Sequence, residues 1–362
     1  MAVKMKDIAE RAGVSSAAVS LALRDSNRVS EAKRGEIARI AAELGFKPNL
    51  LAQALVKGKT RTIGLLTTSF LLEVVAAKVL VLDRMFANAG YRLLTSFLHF
   101  QKEEADVEVV SEAIDEMIRR GVDGLLVYGP HRPGLLEALG KVRVPIVFFD
   151  VELGVPCKHI LLDRSAGCKE CVEHLCELGH REIYLLRTEW CREWIPDRRV
   201  AGYRQAMSAH GLDGDHRVVF LTEPDKADEM GRNVFDMDKV HQSLKQFLLS
   251  HPDCTAIMAS SDELAECMLT CLHRMGLSVP RDISLTGFNN ISSTGRTYPA
   301  LTTIAQPADE IGRSAVAMIL KSIESNDILT PEQVVVPTRL IIRESTGPAR
   351  RGQLRLATKG VE

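Results

Sequence analysis

Few stretches of this chain carry side chains at spacings that suit chemistry, and most of them resolve as structure. Gly58-Lys59-Thr60 is the end of a phosphate-binding loop, but the full motif needs a glycine at 53, where Gln53 stands, and a preceding strand. Ser30-x-x-Lys33 has an acyl-serine spacing, yet Ser30 is explained as the cap of a helix. Cys168, Cys171, His174 and Cys176 share one predicted helix. At i, i+3, i+6 and i+8 they spread over more than half its circumference, which a single tetrahedral zinc cannot gather. Cys267 and Cys271, one turn apart, read likewise as small buried thiols. No Gly-x-Ser-x-Gly and no isolated, well-spaced carboxylate pair is present. The expectation is a chain that is not an enzyme and needs no metal or cofactor, although acid–base sites need leave no local motif.

The constellation that survives is a polar helix face in Met5 to Arg28. Ile8, Ala9 and Ala12 repeat at helical spacing, Gly13 breaks that helix and Val14 plugs the turn. Ser15 is a good N-cap for a second helix. In that helix Val19 and Leu23 can pack inward on Ile8, while Ser16, Ala17, Ser20 and Leu21 share the outward face. Helix, glycine turn and second helix with an inner apolar pin is the layout whose second helix enters a DNA major groove. Any helical hairpin with a glycine turn has the same outline. Charge adds to the case: residues 1–61 hold twelve basic and six acidic side chains in a chain of net charge −1. A basic head on an acidic body suits a polyanion-binding module joined to another function.

The elements that must hold this face follow in order. Ser30 and Glu31 open a third helix, whose Ile37, Ile40, Ala41 and Leu44 form one apolar face before Gly45 and Pro48 end it. Asn49 to Lys57 is a short helical pattern, either a frayed linker or a helix that orders only when bound. From Thr62 the chain alternates apolar strands with amphipathic helices, about nine strands in two runs. That pattern implies two α/β lobes with parallel sheets covered on both faces, and a ligand cleft between them at the carboxyl ends of the strands. No apolar run has signal-peptide or membrane-spanning length, so a cytoplasmic protein with no membrane partner and free thiols at its eight cysteines is expected.

With these features in place, KDIAERAGVSSAAVSLAL, RVSEAKRGEIARIAAELGFKPN, LAQAL and TIGLL resemble the LacI/GalR family of bacterial repressors. CVEHLCELGHREIYLL, RRVAGY, DISLTGFNN and YPALTTIAQP follow in the family's order, so the likeness runs from about residue 4 to 346. It implies a small all-α helix-turn-helix head plus an α/β two-lobed periplasmic-binding-protein-like core with parallel sheets. The expected layout is head 1–48, hinge helix and linker 49–61, core 62–346 and a basic, disordered tail 347–362. Within the core, 62–161 with 291–323 would form one lobe and 162–290 with 324–346 the other.

The resemblance also implies a homodimer on a pseudo-palindromic operator, controlled by a small, sugar-like effector. The protein would be cytoplasmic and nucleoid-associated when bound. Ser15, Ser20 and Asn49 sit where relatives touch phosphates, Ser16 and Ala17 where they read bases, and Asn27 and Arg28 at the start of the next loop. Ser and Ala offer thin direct readout, which shifts weight to DNA shape. Leu55 matches the leucine that wedges into a central minor-groove step. In the cleft the matched positions are Asp150, Arg199, Asp262 and Asn289, with Ser69 in a partly matching stretch. Asn289 replaces a common aspartate and Ser261 a common asparagine, which weakens a simple hexose reading. Trp190 and Trp194 precede Arg199 and can stack on a ring or plug the core. The competing readings are a lobed binding protein without a DNA role, an α/β enzyme with an appended head, and an effector-independent regulator. No tetramerising leucine heptad is visible, so a dimer is the simpler expectation.

Overall fold

Contacts divide the chain into two units, Met1–Thr60 and Arg61–Glu362, each with its own apolar interior. The computed structural model describes residues 3–23, 27–46, 59–67, 73–98, 106–128, 142–150, 156–188, 198–222, 235–328 and 330–354. The expected hinge helix, with Asn49 and Leu55, lies outside these residues, as do Ser69, Trp190 and Trp194.

The first unit holds α1 (Met5–Ala12), α2 (Ser16–Ala22) and α3 (Glu31–Glu43). Ile8, Ala9, Ala12, Val19, Ala22, Ile37, Ile40 and Ala41 close into one core. Gly13 takes the left-handed conformation at φ 64, so its N–H can reach the carbonyls of Ala9 and Glu10 and end α1. Lys33 Nζ donates to the Ala12 carbonyl at 2.9 Å, so α3 ties down the same helix end. Ser30 occupies the N-cap of α3 as expected, but its hydroxyl makes no cap hydrogen bond. Glu31 supplies the favourable charge at that first turn.

The second unit contains two sheets. The first joins β1 (Thr62–Thr67), β2 (Arg92–Phe97), β3 (Gly124–Val127), β4 (Ile146–Phe149), β5 (Lys158–Asp163) and β11 (Glu332–Pro337). Its order is β11-β5-β4-β3-β1-β2, with every neighbour parallel. The second joins β6 (Ile183–Thr188), β7 (Val218–Thr222), β8 (Ala256–Ala259), β9 (Ser284–Asn289), β10 (Thr302–Ala305) and β12 (Arg339–Ile341). Its order is β12-β10-β9-β8-β6-β7, parallel except where β12 runs against β10.

Each sheet is covered on both faces, which is why its strands read as continuous apolar runs. Val75, Leu82 and Phe86 of α4 (Glu73–Asn88) and Ile311, Ala315 and Ile319 of α10 (Ala308–Ser325) pack on one face of the first sheet. Ile114 and Met117 of α5 (Asp106–Arg119) cover the other. In the second lobe, α6 (Arg164–Glu177) and α7 (Arg198–Ala209) build one core, and α8 (Met237–Ser250) and α9 (Asp262–Arg274) the other. Cys168, Cys171 and Cys176 are part of the α6 core, and the Cys171 thiol donates to Thr286 Oγ1 at 3.4 Å. No helix among the described residues is long and apolar enough to cross a membrane.

The lobe assignment expected for 291–346 needs correction. β10 pairs with β9 in the second sheet, whereas β11 pairs with β5 in the first. These runs are short and apolar, and hydrogen-bond pairing rather than periodicity decides which sheet each joins. The chain therefore passes between lobes at 163–164, 305–308 and 337–339. The Thr338 hydroxyl ties two passes together, donating to the Asp163 carbonyl at 2.8 Å and accepting from the Gly167 N–H at 3.0 Å.

The tail is also more ordered than expected through residue 354. Arg350 donates to the carbonyls of Asp282 at 2.9 Å, Pro252 at 2.7 Å and Cys254 at 2.9 Å. The Leu354 N–H returns to the Pro252 carbonyl at 2.8 Å. Backbone acceptors left at the end of the second lobe hold this segment, with little apolar burial of its own. Residues 355–362 lie outside the described residues.

Two glycines make opposite predictions. A Cβ at Gly167 would stand against Ile304 Cγ2 and Thr338 Oγ1, closer than real Cβ contacts come. Gly35 on α3 faces open space. Gly167→Ala is expected to destabilise the lobed unit by about 1–3 kcal/mol, and Gly35→Ala to stabilise the head by about 0.5–1 kcal/mol. Thermal unfolding of both variants checks the two signs.

Candidate DNA interface and effector cleft

In the head, Ser15 caps α2 through its Oγ, which accepts from the Ala18 N–H at 3.2 Å. Its own O–H remains a donor. Ser16 and Ala17 are exposed on the first turn of α2, and Ser20 and Leu21 are half-buried one turn on. Asn27 and Arg28 are exposed on the loop that follows, and Asn27 Oδ1 accepts from Arg34 at 3.5 Å. The buried pair Ile8 and Val19 fixes the helix crossing and so aims this face outward.

In the core, parallel strands put every strand end of a sheet on the same edge. Asp150 follows β4 at the carboxyl edge of the first sheet, with a left-handed backbone at φ 57. Its side chain is 2% exposed and both oxygens are engaged. Lys78 of α4 donates to Oδ2 at 2.5 Å and Arg164, the first residue of α6, to Oδ1 at 2.5 Å. Lys78 is 1% exposed, and its ammonium also lies 5.2 Å from the Tyr128 ring centre. Burial works to raise the Asp150 pKa, but Arg164 and Lys78 together hold it below the usual carboxylate value. Burial pushes Lys78 down, against the pull of Asp150. Taking one partner from such a buried group leaves an uncompensated charge, at a cost of roughly 3–5 kcal/mol.

The carboxyl edge of the second sheet supplies Arg199, Asp262 and Asn289. Arg199 donates to the Ser260 carbonyl at 2.8 Å and lies 5.6 Å from the Phe288 ring centre. Asn289 has φ 120, and its Oδ1 accepts from Gln306 Nε2 at 2.7 Å, at the second interlobe pass. Ser261 caps α9 by accepting from the Leu264 N–H at 3.3 Å. Glu73 Oε1 accepts from the Ser292 N–H at 2.5 Å, which joins the carboxyl edges of the two lobes.

Asp262 departs from its expected role as a direct effector ligand. It is fully buried, with Oδ1 accepting from Thr303 Oγ1 at 2.5 Å and Oδ2 from the Ile291 N–H at 2.9 Å. Gly287 leaves the room for it, since a Cβ there would collide with Oδ1. Asp262 thus fastens the turn after β9. The residues missed from sequence are Lys78, Arg164, Tyr128 and Gln306. Only Lys78 left a signal, as a charge on the buried stripe of Val75, Leu82 and Phe86.

A basic helix-turn-helix head followed along the chain by a two-lobed, largely parallel core defines a DNA-binding regulator with a ligand cleft. Residues 4–49 match the model described as bacterial regulatory proteins, lacI family, and residues 172–346 match the periplasmic binding protein-like domain. The chain is 30% identical over 354 residues to the HTH-type transcriptional repressor PurR of Escherichia coli O139:H28, covering 96% of this chain and 98% of that one. It is 29% identical over 351 residues to the HTH-type transcriptional repressor CytR of Escherichia coli K12, covering 95% and 96%. The lac repressor dimer bound to operator and the anti-inducer ONPF superposes with TM-score 0.80 at 25% identity, covering 96% of this chain and 100% of that one. The chain belongs to the LacI family of DNA-binding transcriptional regulators. These relatives are regulators rather than enzymes.

Asp262 yields a pH prediction. Burial raises its pKa to about 7, against the lowering effect of the Thr303 hydrogen bond. A carboxyl group whose folded pKa exceeds its unfolded one favours the fold while protonated. Its contribution is lost as pH rises from the unfolded value towards about 7, by at most about 1.4 kcal/mol per pH unit. Asp262→Asn removes the charge while its amide oxygen can still accept from the Ile291 N–H and its amide nitrogen can donate to Thr303 Oγ1 in place of the present bond. The melting temperature of wild type should therefore fall relative to Asp262→Asn between about pH 4 and pH 7 and run parallel above. Parallel curves across the whole range would contradict this assignment.

Proposed function

We propose that this regulator binds a pseudo-palindromic operator as a homodimer, each head reading one half-site. Ser16 and Ala17 lie against base edges, Ser15, Ser20 and Asn49 hold phosphates, and Asn27 and Arg28 reach the backbone or a base edge beyond the recognition helix. Leu55 wedges into the central minor-groove step. The observation that carries this reading is the small polar face of α2, exposed on a basic head. Serine and alanine distinguish few bases, so DNA shape and deformation supply much of the specificity. The lac repressor that this chain resembles is a dimer bound to operator and an anti-inducer. Head 1–48, hinge 49–61 and core from 62 are the working divisions, in a cytoplasmic protein that is nucleoid-associated when DNA-bound.

The cleft between the lobes takes a small, hydroxyl-rich, carbohydrate-like effector. Arg199 and Asn289 contact it from the second lobe, Asp150 orients the groups around it from the first, and Ser69, Trp190 and Trp194 complete the lining. Guanidinium and amide groups at strand ends suit hydroxyl recognition. Effector occupancy biases a two-state dimer and changes operator affinity, a coupling of roughly 1–3 kcal/mol.

Titration of full-length protein with labelled operator and random duplex, each at two salt concentrations, tests the DNA assignment. Affinity should fall steeply with salt on both duplexes. Leu55→Ala should cost about tenfold or more on operator and leave random duplex within about twofold at fixed salt. Equal loss on both duplexes would count against the wedge. Indifference of wild type to both would remove the DNA reading itself.

A further inference from the structure

Among the described residues, the cluster at the carboxyl edge of the first sheet does not balance. One carboxylate, Asp150, stands between two cations, Lys78 and Arg164. Both Asp150 oxygens already accept a hydrogen bond and the side chain is 2% exposed, so it presents little acceptor to a ligand hydroxyl. Lys78 is sealed at 1% exposure, whereas Arg164 is 27% exposed and uses one nitrogen of its guanidinium on Asp150. An uncompensated charge in a low-dielectric site is costly, and an anion placed against it is correspondingly favoured. Arg164 stands at the first interlobe pass, which packs against the strand leading into the second: a Cβ at Gly167, one turn on from Arg164, would meet Ile304, two residues before Gln306, whose amide donates to Asn289. Among the described residues, two buried acceptors at these strand ends stand without partners: the Thr67 hydroxyl oxygen at the end of β1 and Gln306 Oε1 at the second pass.

We infer that the effector is an acid: an anionic group, carboxylate or phosphate, docks on Arg164, with its hydroxyl-bearing body reaching Thr67, Gln306 and Asn289. The inference rests on the cleft being the effector site. Asp150 then acts as a positioning residue that sets the guanidinium plane. Lys78 supplies the second positive charge, which leaves the cluster in surplus. Arginine suits this role because its planar fork pairs with two anionic oxygens at once. Phosphate esters and sugar acids share this chemistry and differ in the geometry of the anion.

The test measures thermal stability of the full chain with three matched probes, glucose, glucuronate and glucose 6-phosphate, and with inorganic phosphate at constant ionic strength. Binding to the folded state raises the melting temperature with concentration. Phosphate should stabilise wild type, and one of the two anionic sugars should do so at lower concentration than glucose. Which one does so separates carboxylate from phosphate. Arg164→Gln should weaken the phosphate response by about tenfold or more, through loss of the charge-assisted hydrogen bonds of the guanidinium fork. Arg164→Lys keeps a cation beside Asp150 without the fork. It should fold like wild type by circular dichroism and respond to phosphate more weakly.

A phosphate response equal in wild type and Arg164→Lys would overturn the inference, and so would stabilisation by glucose alone. Stabilisation by glucose alone would still leave the cleft reading standing. Failure of the cleft reading has a different signature. In that case Asn289→Ala and Arg199→Ala would leave every ligand response unchanged while Arg164→Gln abolished it.

Discussion

Two of the three passes between the lobes are held together by one hydroxyl. Thr338 donates to the Asp163 carbonyl and accepts from the Gly167 N–H, so a single side chain fixes the end of β5, the first turn of α6 and the link from β11 to β12. The absence of a side chain at Gly167 is what allows this approach, since a Cβ there would meet Ile304 and Thr338. The remaining pass, at 305–308, is fastened by the Gln306–Asn289 hydrogen bond at 2.7 Å. Each lobe has cores on both faces of its sheet, packed independently of the other lobe. Densely packed interiors resist gradual deformation, so relative motion concentrates at the narrow links.

Two carboxylates near the strand ends show how environment decides role. Asp150 is buried between cations and stays ionised, held below the usual value despite its burial. Asp262 is equally hidden but has neutral donors, Thr303 and the Ile291 N–H, and its pKa rises to about 7. The first organises charge and the second organises backbone. Both lie beside strained conformations, Asp150 itself at φ 57 and Asn289 and Asn290 at φ 120 and 55. Such residues persist where surrounding bonds over-determine them, and Arg343 supplies one by donating to Asn290 Oδ1 at 2.7 Å.

What sequence made legible follows from the range of the interactions involved. The head was readable because Ile8, Gly13, Ser15 and Val19 act within a few residues of one another, and each has the burial, turn or cap its spacing implied. Strand–helix alternation was readable because two-sided burial makes strands continuously apolar. The membership of β10 and β11 was not, since pairing partners are set by contacts far along the chain. Asp150 was found by position, yet its partner Lys78 lies 72 residues earlier, so its closed ion cluster could not be anticipated. The tail misled for a related reason. Arg350 binds carbonyls 96 and 98 residues away, and a periodicity search cannot see a side chain that holds backbone.

The position of Arg164 matters as much as its charge. It is the first residue past the Asp163–Thr338 knot, yet its guanidinium reaches back to Asp150 on the first lobe. A ligand that engages it touches a residue whose backbone belongs to the second lobe and whose ion pair belongs to the first. Across the same cleft, Glu73 of the first lobe accepts from the Ser292 N–H of the second, so one arrangement of the lobes already has a bond to keep it. A ligand shifts such an equilibrium only by the difference in its affinity for the two arrangements. Contacts confined to one rigid lobe add little to that difference, whereas contacts made from both sides of a pass change with the arrangement of the lobes. On the proposed effector reading, control of operator affinity would therefore come from contacts at the passes, Arg164 and Gln306, more than from tight binding at the deeper floor of either sheet.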